Sequence, residues 1–65
     1  MFTKLKLFRE MQEIGLRKLS RMTGIRPERI SYIERNLKQP TLKEMVTLSR
    51  ALNFSPECIF EIVDD

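Results

Sequence analysis

The sequence has no histidine, no tryptophan and only one cysteine, Cys58. Without histidine, it lacks the side chain that enzymes use most often as a general base. One cysteine cannot complete a structural zinc site. It also cannot form an internal disulfide, which is typical of proteins in a reducing compartment. We therefore expect a cytoplasmic protein that is not an enzyme and that needs no metal or other cofactor.

Long apolar runs are missing as well. No stretch approaches the roughly 20 apolar residues that a membrane-spanning helix needs, and charged side chains interrupt the N-terminal region where a signal peptide would need an apolar core. With 65 residues, the chain is predicted to form one domain, residues 1–65, near the lower size limit for an independent core. Such a chain has little room for a catalytic cleft.

Charge is distributed unevenly along the chain. The segment from Arg17 to Lys38 carries seven basic and two acidic side chains, whereas the rest of the chain carries five basic and seven acidic ones. A basic middle with an acidic C-terminal end favours one surface that binds a polyanion. An ordinary solvated helical surface can have the same composition, so charge alone leaves both interpretations open.

Hydrophobic periodicity and helix-end signals predict five helices. The predicted starts are at Thr3, Leu16, Pro27, the capping box Thr41 to Glu44, and Ser55, and the first four helices end at Gly15, Gly24, Asn36 and Asn53. The residues expected to face the core are Leu5, Phe8 and Met11 in the first helix and Leu42, Met45, Val46, Ser49 and Leu52 in the fourth. The apolar end of the fifth helix also fits a short extended segment.

The second and third helices have the spacing of a helix-turn-helix, over about residues 16–35. Small Ser20 lets the two helices approach, Gly24 forms the turn, and Ile25 fills the space below it. Ile30 and Ile33 then anchor the third helix, so that its opposite face is left for solvent or DNA. These positions, together with Leu19, are in register within a five-helix frame, which is stronger evidence than a turn glycine alone.

The sequence resembles the lambda-repressor-like, Cro-type helix-turn-helix proteins (the XRE family) over nearly its whole length. The matching residues are Leu5, Arg9, Leu19, Gly24, Ile25, the segment Ile30 to Asn36, Pro40 to Leu42, Leu52, Ile59 and Phe60. The resemblance implies an all-α, five-helix DNA-binding domain that lies in the major groove of double-stranded DNA. It also implies a structural ion pair between Arg9 and Glu34 and a homodimer on a near-palindromic site.

The chain departs from this family at four positions. Gly15 and Arg26 stand where relatives use serine to cap the second and third helices. Leu16 replaces a glutamine that often contacts phosphate, and Pro27 fills a position where relatives often carry a base-reading glutamine. Leu16 has no side-chain donor for that phosphate contact. Because Pro27 has no hydrogen-bonding side chain either, direct readout is expected from its neighbours.

Two sets of residues are predicted to contact DNA, because the start of the recognition helix reads bases while its flanks hold phosphates. The predicted base-reading residues are Arg26, Glu28, Arg29, Ser31 and Tyr32. The predicted phosphate-binding residues are Arg17, Arg21, Arg35, Asn36, Lys38 and Thr41. Glu28 has an equal alternative as a stabiliser of the helix N-terminus, and each single basic residue is also consistent with ordinary surface solvation.

Apolar residues near the chain ends are the candidates for a dimer interface, with core packing as the alternative for each. They are Phe2, Phe54, Phe60, Ile62 and Val63. The leading hypothesis is a sequence-specific transcriptional regulator, with a repressor favoured. The second hypothesis is an antitoxin-like or accessory module that binds a regulatory protein partner and uses DNA binding secondarily. An enzyme is the least favoured of the three, and no membrane partner is expected.

Overall fold

The computed structural model describes residues 2–61, and within them the chain forms five helices and a two-stranded antiparallel sheet. The helices are α1 (Leu5–Met11), α2 (Leu16–Thr23), α3 (Pro27–Glu34), α4 (Leu42–Ala51) and α5 (Pro56–Ile59), and the strands are β1 (Phe2–Thr3) and β2 (Phe60–Glu61). The predicted five-helix fold class is confirmed. Across the described range, the helices are all too short and too polar to cross a bilayer.

The sheet joins the two ends of the described chain. Phe2 pairs with Glu61 and Thr3 with Phe60, and the Lys4 N–H donates to the Ile59 carbonyl at 2.7 Å. The segment after α5, for which helix and strand were both open, is therefore extended over Phe60–Glu61. Strands of two residues are too short to produce a period-2 pattern, so the sequence offered no signal for the pairing.

Three helices end in the same way, with one residue in the left-handed conformation. Glu13, Asn36 and Asn53 have φ values of 57°, 59° and 61° after α1, α3 and α4. Each is followed by a residue whose N–H reaches back over the last helical turn, as in the bond from Leu37 to the Tyr32 carbonyl at 2.9 Å. Asn36 and Asn53 end their helices as predicted, but Glu13 rather than Gly15 ends α1. The N-cap of α1 is Lys4, one residue later than predicted, and the Thr3 hydroxyl accepts from the Leu5 N–H at 3.0 Å.

The turn between α2 and α3 is built by Gly24 and Thr23. Gly24 has φ of 78°, which confirms its predicted left-handed conformation, and its N–H donates to the Ser20 carbonyl at 2.7 Å. The Thr23 hydroxyl donates to the Leu19 carbonyl at 2.8 Å and accepts from the Ile25 N–H at 3.2 Å. Pro27 then opens α3 as its first residue, where its missing N–H has no cost. These bonds fix the angle between the two helices.

The core lies between the helices and β2. Its buried residues are Leu5, Ile14, Leu19, Ile30, Ile33, Leu48, Leu52, Ile59 and Phe60. Two predicted core residues are instead on the surface: Leu42 is 73% exposed and Met11 is 66% exposed. Both stand at a helix end, Leu42 as the first residue of α4 and Met11 as the last of α1, where the hydrophobic period continues beyond the part of the helix that touches the core.

Candidate nucleic-acid interface

The N-terminal half of α3 packs against the core on one face and is open to solvent on the other. Ile30 and Ile33 are fully buried in the core, so they fix the rotation of the helix about its axis. Arg26, the N-cap of α3, and Glu28 in its first turn are exposed on the outside. A carboxylate in the first turn of a helix interacts favourably with the helix dipole. Stabilisation of the helix N-terminus is therefore the alternative to base reading for Glu28. The arrangement presents one basic and one acidic side chain at the helix start.

Three of the predicted DNA-contacting residues, Tyr32, Arg35 and Lys38, lie close together, and we call them the Tyr32 group. Tyr32 is 39% exposed. The Arg35 guanidinium lies 5.4 Å from the ring centroid and the Lys38 ammonium lies 5.8 Å from it. Lys38 returns to Tyr32 because the left-handed Asn36 reverses the chain, and the Lys38 N–H points to the Tyr32 carbonyl at 3.3 Å. Two cations therefore flank one aromatic side chain at the end of α3.

Arg29 is placed differently from its prediction as a base-reading residue. Its Nε donates to Glu44 Oε2 at 3.0 Å, and its Nη2 donates both to Glu44 Oε1 at 2.9 Å and to the Gln39 carbonyl at 2.9 Å. A guanidinium whose Nε and Nη2 are occupied has lost the paired donors needed for guanine. These bonds tie α3 to α4 and to the loop between them, an arrangement that favours a positioning role for Arg29 over the predicted base reading.

Glu44 is the centre of this connection. Besides Arg29, it accepts the Thr41 N–H at 2.8 Å, while the Glu44 N–H donates to the Thr41 hydroxyl at 3.1 Å. This confirms the predicted capping box. The hydrogen bond from Arg29 is the main cause that lowers the pKa of Glu44 to about 2. One carboxylate thus connects Arg29 of α3 to Thr41 at the start of α4. The connecting segment between the two helices carries Asn36, Lys38 and Thr41, three predicted phosphate-binding residues.

Arg9 and Glu34 form a second, more buried ion pair. Arg9 Nε donates to Glu34 Oε2 at 2.7 Å and Arg9 Nη2 donates to Glu34 Oε1 at 3.1 Å, while Arg9 Nη1 donates to the Ile14 carbonyl at 2.9 Å. The hydrogen bond that Arg9 donates to Glu34 is also the main cause that raises the pKa of Arg9. The pair joins α1 to the last residue of α3, so it orients α3 while both side chains are largely buried.

Arg17 and Arg21 lie apart from the Tyr32 group. They line a shallow depression on the α2 side of α3, together with Ser20, Pro27 and Glu28. Both arginines are exposed. A second depression, which Arg35 lines, shares Pro27 and Glu28 with the first, so basic side chains border the α3 start in two separate depressions. Basic side chains in two depressions beside an exposed helix suit two rows of phosphates with a base edge between them.

The predicted interface residues near the chain ends have mixed outcomes. Phe60 is 4% exposed and belongs to the core, because β2 turns it inward. Phe54 is 40% exposed and packs edge-on against Phe8 with ring centroids 4.5 Å apart. Ile62 and Val63 lie outside the described residues, and Phe2 is described only through its backbone in β1.

Comparison with known proteins gives a family and one similar structure. The family model HTH_3, described as helix-turn-helix, matches residues 5–57. The P22 c2 repressor protein, solved in complex with synthetic operator 9T in the presence of Tl+, is 30% identical with a TM-score of 0.78. The match covers 83% of this chain and 82% of that chain. Among curated proteins, no sequence matches this chain.

Proposed function

We propose that this chain, which belongs to the HTH_3 helix-turn-helix family and is a DNA-binding transcription regulator, acts as a sequence-specific repressor. In this proposal α3 lies in the major groove of double-stranded DNA, and the protein binds as a homodimer to a near-palindromic site. The similar structure is that of a repressor with its operator. The single observation that carries the proposal is the exposed α3 start with basic side chains in two depressions beside it.

In this proposal the contacts divide by position on the helix. Arg26 binds guanine through O6 and N7, Glu28 accepts from cytosine N4, and the Tyr32 and Ser31 hydroxyls face neighbouring base edges. Phosphates are bound by Arg17 and Arg21 on one flank of α3 and by Arg35, Asn36, Lys38 and Thr41 on the other. Arg29 holds the second flank in position through Glu44.

The homodimer follows from the size of the reading surface. A single helix-turn-helix domain buries a small area on DNA, and specific affinity is usually reached with two half-sites about 34 Å apart. We propose that the C-terminal segment with Ile62 and Val63, together with Phe54 and Phe2, forms the interface. The double variant Ile62→Asp/Val63→Asp should then sediment as a monomer at a concentration where the unchanged chain is a dimer. An unchanged sedimentation coefficient would place the interface elsewhere.

The experiment for DNA recognition is an in vitro selection from a random duplex library at physiological salt. An enriched near-palindrome with half-sites about one helical turn apart is the expected result. Enrichment of a single half-site would keep the DNA function and remove the dimer. Without any enrichment, binding by the basic surface is non-specific, and the proposal fails.

The alternative function is a module that binds a regulatory protein and uses DNA binding secondarily. It is favoured by a largely apolar groove between α4 and the α5–β2 segment, lined by Leu42, Met45, Pro56 and Phe60 together with Glu57 and Glu61. Leu42 is the most exposed apolar residue of this groove. A Leu42→Ser variant that still selects the same DNA site but loses regulation in the cell would support this second role, whereas unchanged regulation would remove it.

A further inference from the structure

We propose that the groove between α4 and the α5–β2 segment binds a short segment of a regulatory protein, which places an apolar side chain in the groove and lysine or arginine side chains beside its two glutamates. The inference goes beyond the repressor function and rests on the alternative function, since it gives the chemistry of the partner that this function requires. The groove is open to solvent and has a volume of about 370 Å³. Binding sites usually have volumes of about 300–1,000 Å³.

The floor of the groove is apolar and is built on packed elements. Phe60 is 4% exposed, and its strand pairs with β1. Met45 packs against the core from α4, and Pro56 is the first residue of α5. These side chains are therefore held in place before a partner binds, which reduces the entropic cost of binding.

Leu42 is the feature of the groove that neither the core nor the helix start explains. It is the first residue of α4 and is 73% exposed, more than any other large apolar side chain described in residues 2–61. The start of α4 is already capped by Thr41 and Glu44, so the helix does not need a leucine there. A partner that covers Leu42 gains the free energy of removing its apolar area from water.

The charge of the groove selects a cationic occupant. Glu57 and Glu61 line it and are exposed, whereas its lining in the described part of the chain includes no basic side chain. Neither carboxylate forms an ion pair within residues 2–61. Glu57 is in the first turn of α5, where it suits the helix dipole, but Glu61 is in β2, where no such dipole acts on it. A lysine or arginine of the partner would complement both carboxylates.

The same charges argue against DNA and against a second copy of the chain as the occupant. The two carboxylates repel phosphates, and the groove shares no lining residue with the basic depressions beside α3. A symmetric contact between two copies of the groove would bring the glutamates of one copy against those of the other, since each copy uses the same surface. A cationic protein segment avoids both repulsions.

The test selects phage-displayed random linear peptides on the full chain and then titrates one enriched peptide, labelled with fluorescein, by fluorescence anisotropy. We expect the enriched peptides to carry an aliphatic or aromatic residue next to lysine or arginine. Leu42→Ser should weaken binding of the peptide about tenfold, the effect of leaving one leucine uncovered. Glu57→Gln/Glu61→Gln should weaken it about fivefold, because exposed ion pairs each contribute little.

Matched controls change the same residue types away from the groove. Leu7→Ser replaces another exposed leucine, and Glu10→Gln/Glu13→Gln removes the same amount of charge from exposed positions, so both should leave peptide binding unchanged. Circular dichroism confirms that each variant is folded, and the glutamine double variant is decisive if Leu42→Ser is not.

Three results would overturn the inference. They are a library without enriched peptides, an enriched peptide that binds the groove variants as well as the unchanged chain, and a change in the sedimentation coefficient of Leu42→Ser alone, which would place a second copy in the groove. None of these results alters the selection of a duplex, which tests the repressor function separately. Regulation by Leu42→Ser in the cell tests the alternative function independently of the peptide.

Discussion

Arg29 and Glu44 are joined by two hydrogen bonds across the loop between α3 and α4, from Nε to Oε2 at 3.0 Å and from Nη2 to Oε1 at 2.9 Å. The same Glu44 carboxylate accepts the Thr41 N–H. Through this one side chain, α3 is tied to the N-terminus of α4 and to Thr41, one of the predicted phosphate contacts. The stability of this connection should therefore depend on the ionisation of Glu44.

The first prediction concerns pH. The pKa of Glu44 is lowered from 4.5 to about 2 in the folded protein, so its ion pair stabilises the fold above the unfolded pKa and is lost as pH falls through the folded pKa. Glu44→Gln should lower the free energy of unfolding at neutral pH by about 1 kcal/mol or less, because the pair is partly exposed. Urea titrations should show this difference shrinking from about pH 4.5 towards pH 2. A difference of constant size across this range would contradict the assignment.

The second prediction concerns the buried pair of Arg9 and Glu34. Their side chains retain only 10% and 5% of their exposure, so removing one partner leaves an uncompensated charge. Arg9→Met or Glu34→Leu should each lower the free energy of unfolding by about 3 kcal/mol. The double variant Arg9→Met/Glu34→Leu should be more stable than either single variant, since it buries no charge. Denaturant unfolding measures these changes. A double variant whose loss of unfolding free energy equals the sum of the two single losses would show that the two side chains are not coupled.

The third prediction compares the two glycines. Gly24 has φ of 78°, so Gly24→Ala should lower the free energy of unfolding by about 1 kcal/mol, the cost of a left-handed alanine. Gly15 is the N-cap of α2 in an extended conformation, and a Cβ added there meets nothing within 4 Å. Gly15→Ser should therefore raise stability by a few tenths of a kcal/mol, roughly the advantage of serine as a cap. Thermal unfolding of both variants checks the pair, and equal effects would contradict it.

The fourth prediction concerns salt. If Lys38 contacts one phosphate, Lys38→Ala should weaken binding to all duplexes by a similar factor and reduce the slope of log affinity against log salt by about 1. Lys6→Ala is the matched control, because Lys6 is exposed on α1 outside the basic segment. Fluorescence anisotropy titrations at several salt concentrations measure both slopes. Equal slopes for the two variants would place Lys38 away from the phosphates.

The helix-turn-helix could be predicted from the sequence because its signals are local. Gly24 requires no knowledge of the fold to be placed in a left-handed turn, and Thr41 with Glu44 forms a capping box from a spacing of three residues. The buried faces of α2 and α3 follow from Leu19, Ile30 and Ile33. A short motif with local geometry is thus recoverable from residue types alone.

The contacts that could not be predicted from the sequence join residues that are far apart along the chain. The pairing of Arg29 with Glu44 joins residues 15 positions apart, and each has a sufficient local explanation, as a groove-facing arginine and as a capping glutamate. The β1–β2 pairing joins the two ends of the described chain through two-residue strands. Leu42 fits the apolar period of α4 and is nevertheless exposed, because periodicity does not show where the core stops.

The measurement that tests the account most directly is a set of parallel selections from one random duplex library with the unchanged protein, Arg26→Ala and Arg29→Ala. Arg26 is the exposed N-cap of α3, whereas Arg29 lies within α3 and is bound to Glu44. We predict that Arg26→Ala relaxes the preference at one guanine per half-site, while Arg29→Ala weakens affinity and selects the same sequence. An Arg26→Ala variant that selects the unchanged site, or an Arg29→Ala variant that loses one specific base, would contradict the assignment of base reading to the exposed face of α3.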